Sequence, residues 1–461
     1  MHDDEDLDSS DAERAAEPVI AKLRARDEEL GRNAEAAWNA LTWGEGIASI
    51  TQEQLQRFLW YELPLKWLAP PEDDVVIKVA AATAALLDGL GLDRYAAICR
   101  SQVTAEVHAA YRRSDDEGRR AFRRAAARSG IDPPDLDDFN WGSMMGTDEA
   151  CARSTVAIAL EQAIAAGEFV PGTRGWRERQ HAVAAGALDR PHPTLPTQTW
   201  RRAILTERLE NWVSFARGRS QGLGVLRARH ANRLLPPGPV PDDAADRLAP
   251  LRWLLGELES RGGLELTQTG ALNRAFVIEA TQRWGWWEHG LRGPTRQDDV
   301  WQLGAVHDLA RHCGAARRHR RQLQLTPSGR AMAADPTLAW ARVVPWLAGD
   351  DDFDQMMAET ATLVLLDQDS REIATEELWP RIAELAAEHG WRVGGHGGEP
   401  PGEREVRWAA RQWLWLGGLF ALVVEEGDWP SRRIRLTPAG ESAMLAYLRS
   451  RATGPRSGLV A

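Results

Sequence analysis

The densest chemistry in this chain of 461 residues is arginine without acid. Between Asp308 and Asp335 no Asp or Glu occurs, yet the interval carries Arg311, Arg317, Arg318, Arg320, Arg321 and Arg330, with His312 and His319. A guanidinium presents five donors in a planar fork and grips phosphate oxygens two at a time. The run therefore predicts contact with the phosphates of double-stranded DNA, and with a narrow minor groove where the backbone carries a side chain that far. A solvated hairpin that balances acids elsewhere would carry the same residues.

Other chemical patterns are weaker. Gly218-Arg219-Ser220-Gln221-Gly222 has the spacing of a hydrolase nucleophile turn, and Gly395-His396-Gly397-Gly398 resembles an oxyanion loop. That chemistry needs a buried strand before the serine, and here a helical pattern precedes it. His307, His312 and Cys313 are five and six residues apart, whereas ligands on one helix face are three or four apart. Asp350-Asp351-Asp352 sits at a module boundary, where a solvated turn is the ordinary explanation. Neither standard Gly-rich phosphate loop occurs. No catalytic residue, metal or cofactor is assigned, and the chain is not expected to be an enzyme.

The formal net charge is -11, which argues against a protein that coats nucleic acid over its whole surface. It leaves room for a local basic face, because the sign at the interface decides. Lys22, Lys66 and Lys78 are the only lysines, so arginine carries nearly all the positive charge. Cys99, Cys151 and Cys313 are too scattered for a disulfide framework or a zinc site. No apolar run reaches the ~18–20 residues that cross a bilayer, so no membrane partner is expected. The acidic Asp3-Asp4-Glu5-Asp6 is unlike a signal or transit peptide, and a cytoplasmic location is expected.

A repeated phrase shows what must position the arginines. Arg321-Gln322-Leu323-Gln324-Leu325-Thr326-Pro327-Ser328-Gly329-Arg330 returns as Arg433-Ile434-Arg435-Leu436-Thr437-Pro438-Ala439-Gly440-Glu441. Each copy is an alternating strand ending in Leu-Thr-Pro-x-Gly, with Thr as helix cap and Pro at the first helical position. Around it the order helix, strand, helix, helix, hairpin, helix is expected twice. Residues 247–349 form the first module and 350–450 the second. In the first, a third helix over Asp298–His312 leads into strands over Ala315–Arg318 and Gln322–Thr326. The second carries Trp408, Trp413, Trp415 and Leu416 on its third helix, and Glu425, Glu426 and Asp428 in its hairpin. Residues 17–216 read as an all-α domain, in which Thr51-x-x-Gln54 opens a helix that Pro64 limits. Gly218, Gly222, Gly224 and the prolines from Pro236 to Pro241 make 217–246 a linker. Residues 1–16 and 451–461 read as disordered tails.

Leu325-Thr326-Pro327-Ser328-Gly329-Arg330 resembles the wing-to-helix passage of MarR-like and PadR-like winged-helix repressors. Leu264 through Pro336 looks like a helical region of plasmid-borne and actinobacterial proteins. Phe58-Leu59-Trp60-Tyr61-Glu62-Leu63-Pro64 and Trp141-Gly142-Ser143 are similar to actinobacterial proteins of unknown function. The residue patterns, supported by this resemblance, lead to the expectation of a mainly α chain with a helical N-terminal domain and two tandem winged-helix-like modules; the resemblance itself implies no activity. The expected function of the chain is DNA binding or transcription regulation through the first wing. The alternative is a protein-interaction scaffold without nucleic-acid binding, in which the Trp-rich second module packs on a partner.

Overall fold

A computed structural model describes residues 15–67, 74–136, 138–287, 293–394, 397–427 and 432–456. The chain is mainly helical, with two small three-stranded antiparallel sheets. The readings for the acidic tail before Ala15, for Gly395-His396, for Asp428 and for the end from Ser457 lie outside the described residues. The chain divides into two compact units, Met1–Ile204 with Pro455–Ala461, and Leu205–Gly454.

The first unit opens with α1 (Glu17–Arg26) and α2 (Glu28–Thr42). Next come α3 (Gln52–Arg57), a π turn (Phe58–Glu62) and α4 (Leu63–Lys66). The capping box forms: Gln54 N donates to Thr51 Oγ1 at 3.2 Å, and Thr51 N donates to Gln54 Oε1 at 3.1 Å. Pro64 does not limit this helix as expected. A proline in an α-helix strands one carbonyl and collides with it. Here the wider π turn, closed by Leu63 N on Phe58 O, comes just before Pro64, and the helix runs on to Lys66. The unit continues with α5 (Val75–Gly89), α6 (Asp93–Cys99), α7 (Gln102–Arg113), α8 (Asp115–Ser129), α9 (Thr147–Ala165) and α10 (Trp176–Leu188).

Two cores fill this unit. One gathers Leu41, Leu55, Phe58, Leu59, Leu63 and Leu87. The other gathers Val156, Leu160, Phe169, Leu188 and Ile204. Glu161 of α9 fastens the two lobes. Its carboxylate accepts from Tyr95 Oη at 2.6 Å, Arg94 Nη2 at 2.9 Å and Gln52 N at 2.9 Å. A buried carboxylate survives when its lone pairs are filled in this way.

The division between units falls inside α11 (Trp200–Arg217). The expected linker is largely a helix, α12 (Gln221–Leu234), which buries Leu223, Gly224, Leu226 and Leu234. Its glycines serve close packing. A Cβ on Gly224 would lie 2.8 Å from Arg217 Cα, and one on Gly222 2.7 Å from Leu385 Cδ2. Composition had signalled flexibility where contact was the reason.

The second unit then builds the same order twice. Short α13 (Ala244–Arg247) precedes α14 (Ala249–Ser260), β1 (Leu264–Glu265), α15 (Arg274–Trp284), α16 (Trp301–His312), β2 (Ala316–His319), β3 (Gln322–Leu325) and α17 (Pro327–Ala334). After α18 (Pro336–Val343) come α19 (Asp352–Asp367), β4 (Glu372–Ala374), α20 (Thr375–His389), α21 (Glu403–Ala409), α22 (Arg411–Leu419), β5 (Val423–Glu426), β6 (Arg433–Leu436) and α23 (Pro438–Thr453). The sheets run β1-β3-β2 and β4-β6-β5. Leu264 opposes Leu323 in the first, and Ile373 opposes Ile434 in the second. The expected single third helix of the second module is two, α21 and α22, separated at Ala410. Thr375 is the first residue of α20, and Ala374 stands at its cap. The last helix extends to Thr453, into the stretch read as a tail.

Candidate nucleic-acid interface

The first hairpin closes with two residues, Arg320 and Arg321, between His319 and its cross-strand partner Gln322. Arg320 has φ +56°, a left-handed conformation that glycine and asparagine take most easily. In a strand alternate residues share a face. The register pairs Arg317 with Gln324 and His319 with Gln322, which puts these four on the outward face. Arg318 opposes buried Leu323 on the other face. It escapes the core by turning along the strand end, where its Nε donates to Arg320 O at 3.1 Å and its Nη1 lies over Gly270.

Arg317, Arg318, Arg320 and Arg321 are all exposed, and none forms an ion pair among the described residues. The other two predicted residues stand differently. Arg311, at the end of α16, lies 3.9 Å from Asp308, and Arg330 on α17 lies 3.8 Å from Glu259 of α14. His312 faces Asp350 at 3.7 Å and stacks on Trp346. The six arginines are therefore a hairpin group of four and two that already face carboxylates.

The second hairpin gives an internal control. Arg432 pairs with Glu425 at 3.2 Å, Arg435 with Glu426 at 3.0 Å, and Arg433 with Glu372. One hairpin neutralises its arginines, whereas the four of the other form no ion pair among the described residues.

Sequence reasoning missed three residues at this surface. Gln322 and Gln324 join its outward face, with Gln324 Nε2 donating to Gln322 Oε1 at 3.3 Å. Glu265 arrives through β1, opposite Gln322. It lies outside the acid-free interval in sequence, so only the strand pairing places it here. The third helix contributes little charge. Its N-terminal Trp301 packs on Trp415 of α22, ring centroids 5.0 Å apart. In helix-turn-helix docking the N-terminal residues of this helix reach base edges, and here they meet the second module.

The weaker motifs resolve into structure. Ser220 caps α12, accepting from Leu223 N at 3.2 Å, and donates to Glu388 Oε2 at 2.7 Å. Asp351 caps α19 through Phe353 N at 2.9 Å and Asp354 N at 3.2 Å. Among the described residues no group of three or more His, Cys, Asp or Glu is placed to hold a metal ion. Nor is any helix among them long and apolar enough to cross a membrane. The Trp-rich third helix divides: Trp413 and Leu416 are core, whereas Trp408 and Trp415 are exposed. The guanidinium of Arg411 lies 3.7 Å from the Trp408 ring centroid and 4.6 Å from that of Trp415.

One family model matches the chain. It describes a Y4jL N-terminal domain and covers residues 247–338, from just before α14 into α18, with the basic hairpin inside it. No curated protein and no solved structure matches.

Proposed function

We propose that this protein binds duplex DNA, as a regulator, through the hairpin that carries Arg317, Arg318, Arg320 and Arg321. The observation that supports the reading is this group of exposed, unpaired guanidiniums in a chain of net charge -11. The helix, strand, helix, helix, hairpin order is that of a winged helix, and a wing is a part that meets phosphate. With α16 packed at Trp301, the contact is to the backbone and minor groove rather than to the major groove. The acidic remainder of the protein confines nucleic acid to the wing.

Fluorescence anisotropy of a labelled random duplex tests it. The expected result is micromolar binding at low salt that disappears when the four arginines become alanine. Wild-type protein that binds no duplex at low salt contradicts it.

A second reading, a protein-docking scaffold, is favoured by exposed Trp408 and Trp415 on α21 and α22. The two readings part on duplex binding itself, which the scaffold reading does not expect.

A further inference from the structure

Protein interiors leave few voids larger than a water molecule. The first unit leaves a trough of ≈ 450 Å³ between α7, α8 and the α3 segment. Its size is that of a small-ligand site. It exists because the facing positions Ala110, Ala121 and Ala125 are too small to fill it, while Trp60 and Val107 complete an apolar wall.

Two polar features stand in and over this wall. Gln56, only 6% exposed, lines the trough, and its amide has no hydrogen bond among the described residues. The amide's polar atoms keep some solvent exposure in the trough, so they can meet water or a ligand there. At the rim, Arg124 and Arg128 are one helical turn apart on α8, exposed, and without a carboxylate partner among the described residues. Like charges at that spacing repel each other. Of the other rim charges, Arg113 donates to Glu117 Oε2 at 2.6 Å, whereas Glu106 accepts only from the neutral amide of Gln102 at 3.2 Å and keeps its negative charge, so an anion is directed to the Arg124–Arg128 side of the rim.

We propose that this trough binds a small amphipathic carboxylate, with its apolar chain against Trp60 and Val107 and its anionic end between Arg124 and Arg128. Gln56 serves a polar group part-way along the chain, or the near carboxylate oxygen. The pairing follows from charge complementarity: the rim offers two unmatched cations in a strongly acidic protein, above a wall that rewards burial of methylenes. The site is independent of the duplex-binding reading.

Isothermal titration of the full chain with decanoate, decan-1-ol and butyrate tests it, below the concentration at which decanoate forms micelles. Decanoate binds one per chain. Decan-1-ol binds at least about tenfold more weakly for want of the charge, and butyrate at least about tenfold more weakly for want of apolar area. Arg124→Ala with Arg128→Ala lowers decanoate affinity by about tenfold and erases the preference over the alcohol. Both side chains are exposed, so this variant tests binding without touching the core. Ala121→Trp fills the trough and abolishes binding. Absence of decanoate binding, equal affinity for acid and alcohol, or an unchanged double-arginine variant each overturns the proposal.

Discussion

Arg320 is where backbone strain and the proposed duplex contact fall on one residue. At φ +56° an L residue with a Cβ is strained by about 1 kcal/mol, and glycine would relieve it. Arg320→Gly is therefore expected to raise stability by up to about 1 kcal/mol while it weakens duplex binding. Denaturant midpoints and anisotropy on the same sample check both halves; a variant that loses affinity and stability together would point to hairpin damage instead. His307 makes a residue-scale prediction about pH. It is buried in the first module, neither ring nitrogen has a hydrogen-bond partner among the described residues, and desolvation pushes its pKa down to about 4. The unfolded chain binds that proton near pH 6.5, so between about 6.5 and 4 the unfolded state holds more protons. Stability supplied by neutral His307 is full above that window and is lost as pH falls through it. His307→Leu should lose less stability than wild type between pH 7 and pH 5.5, measured by urea unfolding. Equal losses would mean that His307 does not titrate in the unfolding transition.

At the scale of elements, the repeated Leu-Thr-Pro-x-Gly is a latch, and its chemistry is structural. Thr326 Oγ1 donates to Gly314 O at 2.7 Å and accepts from Gly329 N at 2.9 Å. Thr437 does the same with Ala421 O at 3.0 Å and Gly440 N at 3.0 Å. The glycine lets the new helix sit directly on the carbonyl before the first hairpin strand. A Cβ on Gly329 would lie 2.1 Å from Ala315 O, and one on Gly440 1.9 Å from Leu422 O. Gly329→Ala and Gly440→Ala should each cost about 1–3 kcal/mol, the range for overpacking. Urea unfolding would show it, and a cost near zero would mean the helix start shifts freely. This latch was legible in the sequence because cap, proline and glycine act within four residues. The same holds for the Thr51 capping box. What stayed hidden depends on partners far along the chain. The glycines of α12 read as a linker because nothing local records Arg217 or Leu385 against them. The arginine group could be read from its acid-free interval, whereas Glu265 joins the hairpin only through strand pairing. The contrast with the second hairpin was half visible: Glu425 and Glu426 are local to it, but Glu372 comes from β4.

At the scale of the molecule, the second unit shares one apolar core across both modules, with Leu303 and Val306 in the same cluster as Trp413 and Leu416. Helix α12 belongs to it, and a buried ion cluster fixes it there. Glu359 of α19, fully buried, accepts from Arg227 Nε at 2.8 Å and Trp212 Nε1 at 3.1 Å, and Arg451 lies 3.4 Å away. Removing one partner of a buried pair leaves the other charge stranded, so α11, α12, α19 and α23 are held as one body. The proposed contact of the first hairpin with duplex DNA would make a countable number of phosphate contacts. The most direct test is the slope of log affinity against log salt for a random duplex, for wild type and for the variant with Arg317, Arg318, Arg320 and Arg321 all alanine. Each phosphate contact contributes a slope of about -0.9. The account predicts a wild-type slope of about -3 to -4 that collapses toward zero in the variant. A steep slope unchanged by the four substitutions would place the contacts elsewhere and contradict it.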